Sequence, residues 1–206
     1  RRMATIRLIP SVSAVSNSSY ASISSASNMY SNTDSTTAGT FTHNRASTNN
    51  TYYGYLRGFN FDDIPNNATV TAWTVKIKAK PTGHTTSTSS SYYMSLVNGT
   101  TQIGSTSASG RLSTSTTTFT FAEGSLTWDT ITDYGSNFGI RIPLRRASSN
   151  TADVVSDYGA EIEVTYTVPI HHSVTINNST SATVTASDNN PYEGDDVVIT
   201  TNTLSR

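Results

Sequence analysis

The chain has no cysteine. That absence excludes disulfide staples, thiolate nucleophiles and thiolate metal sites together, so stability has to come from packing. Charge is scarce as well: 13% of the 206 residues are charged and the formal net charge is −1. The basic residues are scattered, whereas neutralising several phosphates requires a concentrated positive surface, so nucleic acid is not an expected partner. No apolar run approaches the roughly 20 residues of a membrane-spanning helix. The N-terminal RRMATIRLIPS also lacks the continuous apolar stretch of a signal peptide, so neither membrane insertion nor ordinary secretion is indicated. Arg1 and Arg2, ahead of Met3, are set aside from the fold reasoning.

What the chain has in abundance is Ser and Thr, about a third of all positions, beside only 34% hydrophobic residues. Such a composition favours strands, turns or disorder over helices. The most ordered pattern is GFNFDDIPNNATVTAWTVKIKAK, Gly58 to Lys80, where a polar turn lies between two runs of period-two alternation. From Trp73 onward, Trp73, Val75, Ile77 and Ala79 form the inward set and Thr74, Lys76, Lys78 and Lys80 the outward set. Trp73 and Trp128 are assigned to the core, Trp128 near a loop end. Gly58, where the alternation changes phase, is read as a β-bulge.

Other runs alternate in the same way. Ala4, Ile6 and Leu8 mark a first strand ended by Pro10. Tyr92, Met94 and Leu96 lead to Asn98-Gly99, a dipeptide suited to a tight hairpin whose second strand is Thr100 to Ser105. Phe119 and Phe121, then Phe138, Ile140, Ile142 and Leu144, then Ile162, Val164, Tyr166 and Val168 complete the inward sets. Glu161 and Glu163 point outward, and a Lys/Glu ladder between that last strand and the Lys76–Lys80 strand is the expected use of both. The stretch from Ser11 to Asn50 is either a disordered linker or weak edge strands, and recurring Ala14, Val15, Tyr20, Ile23, Met29, Tyr30 and Phe41 favour edge strands. Short strands separated by turn signals predict an all-β antiparallel sandwich.

The candidate chemistry is thin. Asp62-Asp63, Asp188 to Asn190 and Asp195-Asp196 have the oxygen ligands calcium takes, but adjacent aspartates more often cap turns by accepting backbone amides. Glu161 and Glu163 lie about 6–7 Å apart by strand rise, a glycosidase-like separation that proves little alone. His171-His172 would project to opposite faces of a strand and cannot easily chelate one ion, while His43 and His84 fall in polar loops. The several Asn-x-Ser/Thr sequons are about as many as chance predicts in so Ser/Thr-rich a chain, and carry no signal. Catalytic, cofactor and metal residues are therefore not nominated. Tyr52, Tyr53, Tyr55 and Tyr93, with Tyr92, could make a flat tyrosine surface and are the candidate contacts for glycan or partner. Half-buried strand positions are the competing reading.

Five segments in order, NMYSNTDSTTA from Asn28, the Gly58–Lys80 run, TFTFAEGSLTW from Thr118, YGSNFGIRI from Tyr134 and DYGAEIEVTYTV from Asp157, resemble jelly-roll domains of tailed-bacteriophage and prophage virion structural proteins. The similarity covers residues 3–169, and Trp73 departs from it where such domains often have a smaller residue. Residues 170–206, HHSVTINNSTSATVTASDNNPYEGDDVVITTNT within them, are similar to the opening of a bacterial immunoglobulin-like module, with about three strands expected and the natural chain expected to continue. The resemblance implies a jelly-roll β-sandwich followed by an incomplete second β module. It implies a non-enzymatic virion protein of a head fibre, decoration or tail appendage, located on the extracellular particle. Its implied partners are other virion proteins, further copies of itself and host surface glycan. The alternative is a carbohydrate-binding module of a secreted or cell-surface bacterial protein, since the architecture serves both.

Overall fold

Period-two alternation places one face of each strand in the core, and two such sheets bury those faces against each other. The computed structural model describes residues 1–44, 50–83, 93–106, 116–145, 153–178 and 182–203. One antiparallel sheet holds β1 (Arg2–Leu8), β3 (Ala21–Ser24), β4 (Gly39–His43), β6 (Thr69–Thr82), β9 (Thr117–Phe121) and β11 (Asp153–Val168). The other holds β2 (Val12–Val15), β5 (Tyr52–Arg57), β7 (Ser95–Asn98), β8 (Thr101–Thr106) and β10 (Phe138–Leu144). Most successive strands cross between the sheets in a jelly-roll-like path, except the adjacent pairs β3–β4 and β7–β8, which stay in one sheet. One short helix, α1 (Trp128–Tyr134), sits between β9 and β10.

β11 is the spine of the first sheet. It pairs with β6 along one edge, while its other edge is shared by β4, opposite Asp153 to Asp157, and β1, opposite Ile162 to Val168. In this register Lys76 faces Glu161 and Val75 faces Ile162, so the partnership predicted for the lysine and glutamate strands is found. The inward residues Trp73, Val75, Ile77, Ala79, Phe119, Phe121, Ile162 and Val164 are buried, as are Phe138, Ile140, Ile142 and Leu144 from the facing sheet. The sheets meet closely at Gly54, where a Cβ would stand 2.7 Å from the Phe41 ring, so a side chain there would force the sheets apart. A bulge between Asp157 and Gly159 bends β11. Gly159 has φ +135, and a Cβ there would lie 2.4 Å from the Ser31 carbonyl oxygen, so both conformation and space require glycine.

Several sequence expectations change. Gly58 is no bulge: it follows the end of β5 at φ +76, and Ser11 Oγ donates to its carbonyl at 2.7 Å. The Ser11–Asn50 stretch carries β2, β3 and β4. The first two are edges as expected, while β4 lies inside the sheet between β3 and β11 because its Phe41 belongs to the core. The hairpin forms one residue later than predicted: Asn98 pairs with Thr101, and Gly99 takes positive φ at the first loop position alone, as a type II′ turn requires. Arg2 and Met3 belong to β1, opposite Val168 and Thr167. His43 is not in a polar loop but closes β4, fully buried, its ring 4.9 Å from that of Tyr52. Tyr92 and His84 lie outside the described residues.

In 170–206 the described residues give β12 (Ala182–Ala186) paired with β13 (Ile199–Thr203), plus a bridge between His171 and Tyr192. Val198 and Ile199 are 63% and 51% exposed, so this pair does not close a core of its own.

Candidate functional site

The contacts nominated by the sequence are the tyrosines Tyr52, Tyr53, Tyr55 and Tyr93. Alternation along β5 puts Tyr53 and Tyr55 on the outer face of the second sheet and Tyr52 on the other. Tyr52 stacks at 5.5 Å on Tyr20 and packs against His43, so it leaves the predicted surface. Tyr93 is half-buried and has no ring contact with the others. Over the remaining pair lie two guanidinium groups, Arg141 over the Tyr53 ring and Arg57 over the Tyr55 ring, each 4.5 Å from the centroid. Tyr55 is only 4% exposed, and burial pushes its phenol pKa up while Arg141 and Arg57 oppose the shift. A flat tyrosine platform is therefore not formed: arginine planes cap the two rings a sugar would need.

The second cluster lies over the outer face of the first sheet. Arg7 of β1 reaches Asp34 at 2.6 Å, Glu161 at 3.2 Å and Glu163 at 3.7 Å, and Lys76 stands 4.0 Å from Glu163. The Lys/Glu ladder is thus present, with Arg7 between the two glutamates. Glu161 points away from the core as predicted yet is 1% exposed, because residues 31–35 cross above it. Its Oε1 accepts from the Thr33 backbone N–H at 3.0 Å and from the Thr33 hydroxyl, and Lys78 Nζ donates to Ser35 O at 2.7 Å. Ala160 N–H donates to Ser31 O at 2.9 Å, filling the gap between β1 and β4 on the β11 edge. The strap thus engages Glu161 Oε1, while the buried Oε2 makes no hydrogen bond and faces Arg7 as an ion pair.

The third feature is open. At one end of the sandwich, the turn after β5 and the segment leading into α1 enclose a cavity of about 510 Å³. Its apolar wall includes Phe61, Ile64, Val70 and Trp128, and its polar rim includes Asn66, Thr69 and Asp129. A smaller cavity of about 260 Å³, lined in part by Asn60, Asp62 and Ser136, shares Phe61 in its wall. Local rules fix this geometry. Asn60 Oδ1 accepts the Asp62 N–H at 3.2 Å and its Nδ2 donates to Asp63 Oδ1 at 3.1 Å. The turn is therefore capped by Asn60, and neither Asp62 nor Asp63 accepts a backbone amide as the sequence suggested. Thr127 Oγ1 accepts the Thr130 N–H at 3.2 Å and starts α1 with Trp128 as its first residue.

Trp128 is half-buried, edge-on to Phe61 at 5.4 Å and 6.2 Å from Trp73. Among the described residues its indole N–H, the Asn66 amide and the Asp129 carboxylate make no hydrogen bond within the protein. The sequence assigned Trp128 to the core near a loop end, and it does pack against the core, but only half-buried and with one side in the cleft. The available signal was its setting, Thr127-Trp128-Asp129-Thr130, a helix start with polar neighbours on both sides and no alternating run.

The remaining aspartates fold their own turns. Asp188 Oδ1 accepts the Asn190 N–H at 2.8 Å and Asp195 Oδ2 the Tyr192 N–H at 2.9 Å. His171 Nδ1–H donates to the Asn190 carbonyl oxygen at 2.7 Å, and its ring lies against Tyr192. Among the described residues no group of three or more His, Asp or Glu is placed to hold a metal ion. No helix among them is long and apolar enough to cross a membrane. Compared with known proteins, the chain matches no family model, no curated protein and no solved structure.

Proposed function

We propose that this chain is a non-enzymatic contact module of a tailed-bacteriophage virion, part of a head fibre, decoration or tail appendage, and that it works by display. A stiff sandwich carries a contact site at its end and brings it to a host or particle surface. The observation that carries the reading is the open aromatic cleft at Phe61 and Trp128. It is built from two of the five segments on which the resemblance rests, and the Asn66 and Asp129 side chains at its rim make no hydrogen bond within the protein. Sites of this kind, with an apolar wall and a few convergent polar groups, are the usual form of a ligand pocket. The strand ladders hold it from behind: Trp73 on β6 backs Trp128, and β6 is locked along β11.

The test is immunogold imaging of phage particles with an antibody raised against residues 3–169. Labelling of a defined position on the particle is the expected result. No labelling of any virion, with the protein recovered instead as a secreted or surface protein of a bacterium, would replace this reading by that of a carbohydrate-binding module.

A further inference from the structure

We infer that the cleft around Trp128 is a binding site for an uncharged, hexose-based glycan, with two subsites divided by the Phe61 ring; this rests on the contact-module reading above. The cavity of about 510 Å³ falls within the usual range of about 300–1,000 Å³ for small-ligand sites, and the second cavity of about 260 Å³ adjoins it at Phe61, which lines both. A hexose presents a C–H face and a rim of hydroxyls. The cleft offers the complement of both: Phe61, Val70 and Trp128 as apolar wall, and Asn66, Thr69 and Asp129 as hydrogen-bonding rim. The free Asp129 carboxylate can accept two hydroxyl protons in charge-assisted bonds, and the free Asn66 amide can both donate and accept. That combination suits a polyol better than an apolar ligand, which would leave both groups unpaired on closure.

Charge sets the class further. No residue lining either cavity is basic, while Asp129 borders the first and Asp62 the second. A uronic-acid or sialic-acid glycan would bring its carboxylates against these, so the site selects neutral sugars. The basic outer face at Arg57 and Arg141 belongs to β5 and β10, and neither arginine lines the cleft.

The experiment titrates the full chain with neutral α- and β-linked glucose, galactose and mannose hexasaccharides and with an oligogalacturonate of the same length, read by tryptophan fluorescence and by calorimetry. Trp73 is 6% exposed, so among the two tryptophans a ligand in the cleft reports through Trp128. At least one neutral hexasaccharide is expected to bind and to shift the emission, with the oligogalacturonate about tenfold weaker or silent. Because Trp128 also packs on Trp73, the decisive variants are Asn66→Ala and Asp129→Ala, which break no side-chain hydrogen bond of the fold. Each is expected to weaken binding about tenfold at unchanged thermal stability. No neutral hexasaccharide bound at about 10 mM, or binding indifferent to both variants, overturns the inference. A particle-bound protein that ignores neutral glycans sinks this inference and leaves the virion reading intact. A secreted protein that binds them through the cleft does the reverse.

Discussion

At the scale of single residues, the most consequential side chain outside the cleft is Asp157. It sits on β11 beside the bulge, fully buried, with Oδ1 accepting the Gly159 N–H at 2.9 Å and Oδ2 unpartnered. Burial raises its pKa to about 7, with the Gly159 hydrogen bond acting in the opposite direction. An unfolded aspartate titrates near pH 3.9, so the fold favours the protonated form. The contribution to stability is fully present below about pH 4 and is lost as pH rises through about 7. Asp157→Asn keeps an acceptor for the Gly159 amide and removes the charge. Urea unfolding at pH 4 and pH 8 should show the parent losing up to about 4 kcal/mol between the two and the variant losing little. Equal slopes for both proteins would show that Asp157 is ionised in the fold.

At the scale of elements, the strap formed by residues 31–35 is held by side chains of three strands: Arg7 of β1, Lys78 of β6 and Glu161 of β11. Glu161 is the central member, because it satisfies Thr33 on one oxygen and lies 3.2 Å from Arg7 on the other. Glu161→Ala should destabilise by about 2–4 kcal/mol, since it orphans the Thr33 amide and leaves Arg7 one carboxylate fewer. Glu161→Gln, which retains the acceptor, should cost less. Hydrogen exchange is the second readout: the Ser31-bonded Ala160 amide should exchange faster in the alanine variant, and an unchanged rate would show that the strap is held elsewhere. This cluster also marks a limit of sequence reading. The Lys/Glu strand pairing was legible from alternation alone, because period two puts like residues on one face. The burial of Glu161 was not, since the covering strap lies 128 positions away in the chain.

At the scale of the whole molecule, the core runs from Leu8 to Val164, entirely inside residues 3–169. β12 and β13 add a two-stranded sheet with exposed Val198 and Ile199, and the Arg1 amino group meets Glu193 on the exposed surface. Exposed ion pairs contribute about 0–1 kcal/mol. Residues 1–169 alone should therefore unfold cooperatively with a melting temperature within a few degrees of the full chain, measured by calorimetry. A collapse of the transition would show that the C-terminal segment completes the sandwich.

The sequence by itself determined the all-β class, the inward faces of β6, β9, β10 and β11 and the pairing of β6 with β11. Each of these is set by local alternation and by apolar residues that must leave water. Only the tertiary structure decided which polar groups are covered and which are left open. Tyr53 and Tyr55 share a strand face as alternation requires, yet Arg141, far along the chain on β10, caps one ring and thereby removes it as a platform. Trp128 carries no period-two signal, and it becomes the wall of a cleft because β6 and the Phe61 turn bring Trp73 and Phe61 to it. Alternation acts between neighbours in sequence; covering and exposure depend on contacts between distant segments, which folding alone brings together.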